Sequence, residues 1–214
     1  ARNAHALGDL GERFLKRQQP GLEAQIANLA DEIAYNNHDV DDGVRAGLID
    51  VPSLCEVALF RRHHDEVVAR YPDLGGSRLV HEILRRMINS VVVDLVRTTQ
   101  KQISAAKPKS IDDVRARSKP LVALSDTARE EHLELKTFLR ERVYQHYKVL
   151  RMTSKARRTL TQLFEAFFND VNLMPTEHRL AAHRAHADKG DTGRARAVAD
   201  YVARMTDRYA ILEH

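Results

Sequence analysis

Between Leu79 and Val96 the apolar residues Leu79, Val80, Ile83, Leu84, Met87, Ile88, Val91, Val92, Leu95 and Val96 recur at i, i+3 and i+4. Only an α-helix gathers that spacing onto one face, because side chains three and four residues apart stack together, whereas a strand needs period two. Val91-Val92-Val93 is a local β-type run that the surrounding period is expected to override. The same period returns along the chain with little strand alternation. The expected architecture is an all-α, multi-helix bundle, with residues 1–214 forming one segment.

Punctuation divides this bundle. Pro52 and Ser53 open a helix expected to reach about Tyr71, before Pro72, and Gly75, Gly76 and Ser77 start the long one. Residues 104–126, with Pro108, Pro120 and several lysines and serines, read as a connecting excursion over the surface. Ser125 or Asp126 caps the next helix, which carries Leu133, Leu135, Phe138, Leu139, Val143 and Tyr144. Further helices fit residues 154–171, 176–187 and 194–213, with Lys189-Gly190-Asp191-Thr192-Gly193 as a turn.

At 214 residues and 43% hydrophobic, the chain can bury a substantial core. One cysteine excludes an internal disulfide, and the apolar run around Cys55 points to a core thiol in a reducing compartment. No apolar run approaches the roughly 20 residues of a membrane span. A soluble, cytoplasmic protein with no membrane partner is expected. The apolar helices also make a homo-oligomer an expectation.

Chemistry concentrates between Leu22 and Gly43. At about 100° per residue, Leu22, Ile26, Leu29 and Ile33 share one stripe, while Asp31, Tyr35, Asp39 and Asp42 run along the other side. Ala24, Ala27 and Ala34 border the acidic row, as they would if another element packed close and buried the acids. Gly43 suits a helix C-cap. Two readings stand: a solvated acidic face, the commonest use of helical carboxylates, or a site whose acids need cations, metals or donors. Acids at a helix C-terminus oppose the dipole, and charge placed against a local rule points to function.

The string Leu22-Glu23-Ala24-Gln25-Ile26-Ala27-Asn28-Leu29-Ala30-Asp31-Glu32-Ile33-Ala34-Tyr35-Asn36-Asn37-His38-Asp39-Val40-Asp41-Asp42-Gly43 resembles the signature of the deoxyguanosinetriphosphate triphosphohydrolases, the dGTPase branch of the HD-domain phosphohydrolases. Glu134-Leu135-Lys136-Thr137-Phe138-Leu139-Arg140-Glu141-Arg142-Val143-Tyr144-Gln145-His146 and Asp200-Tyr201-Val202-Ala203-Arg204-Met205-Thr206-Asp207-Arg208-Tyr209-Ala210 agree with it, in the same order. The resemblance implies hydrolysis of a deoxynucleoside triphosphate to deoxynucleoside and triphosphate, with a divalent ion such as magnesium, manganese or cobalt. Asp31 resembles the last metal ligand of the superfamily. It further implies that Tyr35 packs on the deoxyribose, Asp39 accepts from the 3′-hydroxyl, Lys136 meets the triphosphate, and Tyr144, Gln145 and His146 lie near sugar or base.

On the residues alone, Tyr144 equally suits an amphipathic core position with its hydroxyl at the edge. His38, one turn beyond Tyr35, is a candidate for nucleotide contact or for capping. Asp207 and Arg208 read as a structural ion pair ahead of a ligand contact.

The superfamily's other ligands, a histidine and a His-Asp pair, normally lie upstream of this aspartate. His38-Asp39 and His64-Asp65 fall on the wrong side of it, and His63 and His64 are expected on a polar helical face. The resemblance therefore implies that the chain is the C-terminal portion of a longer enzyme, inactive alone, with its catalytic acid or base upstream of residue 1.

A second class of function uses charge instead. The net charge is +4, the pI is about 9.3, and Lys148, Arg151, Lys155, Arg157 and Arg158 cluster as a helical module tracking single-stranded DNA phosphates would require. A solvated helix face is the ordinary explanation of such a run. A third reading, an HD-family member acting on another phosphate ester, leaves Tyr35 and Asp39 without a role.

Overall fold

The computed structural model describes residues 8–214. Ten α-helices and two short tighter or wider turns account for it, with no strand among the described residues. Short α1 (Asp9–Leu15) precedes α2 (Leu22–Arg45), α3 (Val51–Leu54), α4 (Ala58–Arg70) and the long α5 (Gly76–Ala106). Then follow α6 (Ile111–Arg115), α7 (Asp126–Leu139), a π-helical turn (Arg140–Tyr144), α8 (Tyr147–Asn169), a 3-10 turn (Val171–Leu173), α9 (Thr176–Ala203) and α10 (Asp207–Glu213). The chain divides into two compact units, residues 1–146 and 147–214.

In the first unit α5 is the spine. Val80, Ile83, Leu84, Met87, Val91 and Leu95 form its buried stripe at helical spacing, and α2 and α4 both pack on it. Val92 and Val93 point outward, so the period did override the β-type run. α7 closes the core against α2 and α4, burying Leu135 and Leu139 with Phe60, Val40 and Ile33.

Several boundaries depart from the sequence reading. The helix expected from Pro52 to Tyr71 is two helices broken at Cys55–Val57. One straight helix cannot turn Leu54, Val57, Leu59 and Phe60 all inward, since they span far more than a single apolar stripe; the break lets all four be buried. Asp50 and Ser53 form a capping box that starts α3, and the Glu134 carboxylate of α7 accepts from the backbone N–H of Ala58 at 3.0 Å, capping α4 from a neighbouring helix. Ser125 caps α7 as expected, accepting from the Ala128 N–H.

Gly43 is not a C-cap. α2 continues to Arg45, and Gly43 is buried where a Cβ would stand 2.9 Å from Ile49 Cδ1 and 3.2 Å from Val143 Cγ2. Its role is close approach. The turn glycine is Gly47, at φ +62°. The excursion at 104–126 is shorter and better anchored than the sequence suggested: α5 runs to Ala106, and Val114, Leu121, Val122 and Leu124 are buried. Buried Gln25 pins it, its Oε1 accepting from the N–H of Leu121 (2.9 Å) and Val122 (3.0 Å) while its Nε2 donates to the Pro20 carbonyl.

The second unit has its own core of Leu163, Phe167, Val171, Met174, Ala182, Val198, Tyr201 and Ala210. α9 is a hairpin rather than a rod. Lys189 and Gly190 leave helical geometry, Gly190 at φ +58°, and beyond them the chain doubles back until the His178 and Tyr201 rings lie 4.4 Å apart. The expected turn at 189–193 is thus present but takes only two residues.

Candidate active-site wall

α2 meets α7 through Glu32 and the π-helical turn through Asp39. Asp31 is exposed and has no hydrogen-bond or ion-pair partner among the described residues; Asp39 is half-buried. The acids are therefore not covered on both sides, contrary to what the bordering alanines suggested, and Ile26 too stays about half exposed. The buried side of α2 instead carries Gln25, Ile33, Asn36, Asn37, Val40 and Gly43.

Two cross-helix contacts organise the wall. Near one end the Lys136 ammonium donates to Glu32 Oε1 at 2.7 Å. That hydrogen bond holds the Glu32 carboxyl below its usual range, with partial burial opposing it. Behind Glu32 sits the ring of His132, buried, with Nε2 3.4 Å from the same Oε1 and sharing a 3.0 Å hydrogen bond with the amide of buried Asn36. Burial pushes the His132 pKa down, against the pull of Glu32. Further along, the Tyr144 hydroxyl donates to Asp39 Oδ2. This bond, helped by burial, pushes the phenol up to about 12, and nearby Tyr35 adds to the shift. The Tyr35 ring is 63% exposed, an open aromatic face beside the Asp39–Tyr144 pair.

The π-helical turn makes this alignment possible. Eight residues of straight α-helix would leave Tyr144 about 80° away from Lys136 around the axis. A turn closed i→i+5 takes more than four residues per revolution, so each residue rotates by only about 80°. Over Arg140–Tyr144 the lag accumulates until Tyr144 reaches the same side as Lys136, opposite Asp39 and Glu32. Val143 turns inward against Gly43 as Tyr144 turns out.

Not every expected residue joins the wall. His38 is exposed on α2, and Gln145 is exposed just past the π-helical turn, its backbone N–H bonded to the Arg140 carbonyl. His146 is half-buried, with its backbone N–H on Val143. Asp207 and Arg208 belong to the second unit, where Asp207 lies in the favourable first turn of α10 and no ion pair joins the two among the described residues. His63 is buried, contrary to expectation: Nδ1 lies 3.0 Å from Glu66 and Nε2 2.9 Å from Ser90 Oγ, tying α4 to α5. His64 stays half-exposed beside Asp65. Cys55 is partly buried at the core edge, and that burial raises its thiol pKa.

Among the described residues no three His, Cys, Asp or Glu side chains cluster as a metal site. Asp31 alone does not make one, since a divalent ion needs several ligands in fixed geometry. Glu32, Asn36 and His132 were missed from sequence. Their one signal is that His132 stands a turn before Lys136, and no spacing announces a partner on another helix.

Residues 122–214 match the phosphohydrolase-associated domain. A deoxyguanosinetriphosphate triphosphohydrolase-like protein of Bordetella pertussis is 51% identical over 214 residues, all of this chain and 53% of the relative. The chain is a homologue of the deoxyguanosinetriphosphate triphosphohydrolase-like proteins. Similarly named proteins of Ralstonia nicotianae and Thiobacillus denitrificans are 51% and 50% identical over 99% of the chain and 52% and 54% of their own lengths. The chain thus spans about half the length of the triphosphohydrolase-like relatives it matches. Among the described residues, no helix is long and apolar enough to cross a membrane.

Proposed function

We propose that this chain supplies one wall of the active site of a deoxynucleoside triphosphate triphosphohydrolase. The observation that carries the reading is the pair of contacts that set Lys136 against Glu32 and Tyr144 against Asp39, on the helix that also carries Asp31 and Tyr35, in a relative of proteins named for that activity. The reaction adds water at the α-phosphorus and breaks the bond to the 5′-oxygen, releasing deoxynucleoside and triphosphate. Lys136 offers its ammonium to the triphosphate oxygens. Asp39, already oriented by the Tyr144 hydroxyl, accepts from the sugar 3′-hydroxyl. The open Tyr35 ring lies under the sugar, where an added 2′-hydroxyl would clash or be left without a partner. Gln145, with His38 and His146 at lower priority, would contact the base end of the nucleotide.

Asp31 would contribute one carboxylate to a divalent cation, which supplies charge neutralisation at the phosphates when bound. The other ligands and the catalytic acid or base lie outside the residues described. The test is release of inorganic triphosphate from dGTP by a protein carrying this chain together with the remaining half of its relatives' length. Hydrolysis that Asp31→Ala abolishes, with helicity unchanged, supports the reading; hydrolysis by residues 1–214 alone, or none by the longer protein, overturns it.

A single-stranded DNA interface is a second reading. Residues 150–158 of α8 expose Arg151, Lys155, Arg157 and Arg158 continuously, as a phosphate-tracking surface requires. Binding that weakens with salt and is lost when these four are replaced would favour it.

A further inference from the structure

We propose that Glu32 is a positioning residue that presents Lys136 to the triphosphate, with the buried ring of His132, fixed by Asn36, packed behind it. The inference rests on the function proposed above and assigns a task to three side chains that reading leaves idle. An ammonium on a four-carbon stem is a mobile point charge, and holding it still costs rotamer entropy unless a fixed acceptor takes one of its three N–H groups. Glu32 is that acceptor, at 2.7 Å, from a backbone position next to Asp31. Two donors remain free for phosphate oxygens.

Behind the carboxylate lies a buried ring. His132 Nε2 lies 3.4 Å from the same oxygen, its ring is 7% exposed, and Asn36, 6% exposed, fixes the ring at 3.0 Å. These contacts link α2 to α7 at two heights.

The test is a double-mutant cycle in the longer protein, read by steady-state hydrolysis of dGTP. Glu32→Ala should lower kcat by tenfold or more while KM changes less than threefold, because the triphosphate can still draw a loose lysine in but not hold it aligned. Glu32→Gln keeps an acceptor of the same length and should retain kcat within about threefold. In a Lys136→Ala background, Glu32→Ala should have no further effect. Additive losses, or equal losses in the Gln and Ala variants, overturn the proposal.

A second measurement is independent of turnover: the 15N-resolved ammonium signal of Lys136 in residues 1–214, visible only when a hydrogen bond slows proton exchange. The proposal requires that signal to be present and lost in Glu32→Ala; its absence from the unmutated chain rejects the tether. If the longer protein shows no hydrolysis while this signal behaves as required, the proposed function fails and the tether stands.

Discussion

Asp39 and Tyr144 form a pair whose state can be read optically. The Tyr144 phenol ionises near 12 instead of its ordinary 10.0 because it donates to a carboxylate. Its folded pKa exceeds the unfolded value, so the pair's contribution to stability is complete below pH 10 and fades as pH rises toward 12. An absorbance titration should show two of the six tyrosines ionising late, Tyr144 and the buried Tyr201, and Asp39→Asn should return only Tyr144 toward 10. His132 shifts the other way. With a folded pKa below its ordinary 6.5, the unfolded chain takes up the proton first, so stability present above pH 6.5 is lost as pH falls through the folded value. His132→Gln should flatten that part of the urea-midpoint curve between pH 7 and 5.

That Asp31, Tyr35 and Asp39 lie on one helix was legible because they share one periodic motif. Glu32 with Lys136, and Asn36 with His132, were not: 104 and 96 residues separate the partners, and helical period tells which face a residue occupies but not what it meets there.

At the level of elements, one glycine and one glutamine of α2 are matched closely to its neighbours. Gly43→Ala places a Cβ against Ile49 and Val143, and over-packing of this kind costs about 1–3 kcal/mol. It should also lower hydrolysis by the longer protein, since Val143 directly precedes Tyr144 in the π-helical turn. Chemical denaturation separates the two effects: a Gly43→Ala protein as stable as the parent contradicts the close approach.

Gln25→Leu keeps the volume but strands the N–H groups of Leu121 and Val122, each worth about 1–3 kcal/mol if left dry. A loss of roughly 2–4 kcal/mol in urea is expected, with faster amide exchange confined to residues 119–124. The periodic helices were readable from spacing alone. The break between α3 and α4, the interior placement of Gly43 and the anchoring of the excursion were not, because each answers to a tertiary neighbour rather than to local preference.

For the molecule as a whole, two separate cores predict two separable responses. Phe60 is fully buried in the first unit, and Phe60→Ala should cost about 3–5 kcal/mol there, seen as lost amide protection in residues 22–144. Protection around Leu163 and Phe167 should persist; equal loss in both units would mean they unfold as one.

The acidic row of α2 has a consequence for long-range capture. The chain carries a net charge of +4, yet between Asp31 and Asp42 one helix presents five carboxylates, of which Lys136 and Arg45 match only Glu32 and Asp41. A polyphosphate approaching this wall meets a local potential of its own sign inside a field of the opposite one. Added monovalent salt should therefore speed nucleotide capture when divalent cations are chelated and slow it when they are abundant, as the ion turns a repelling gate into an attracting one.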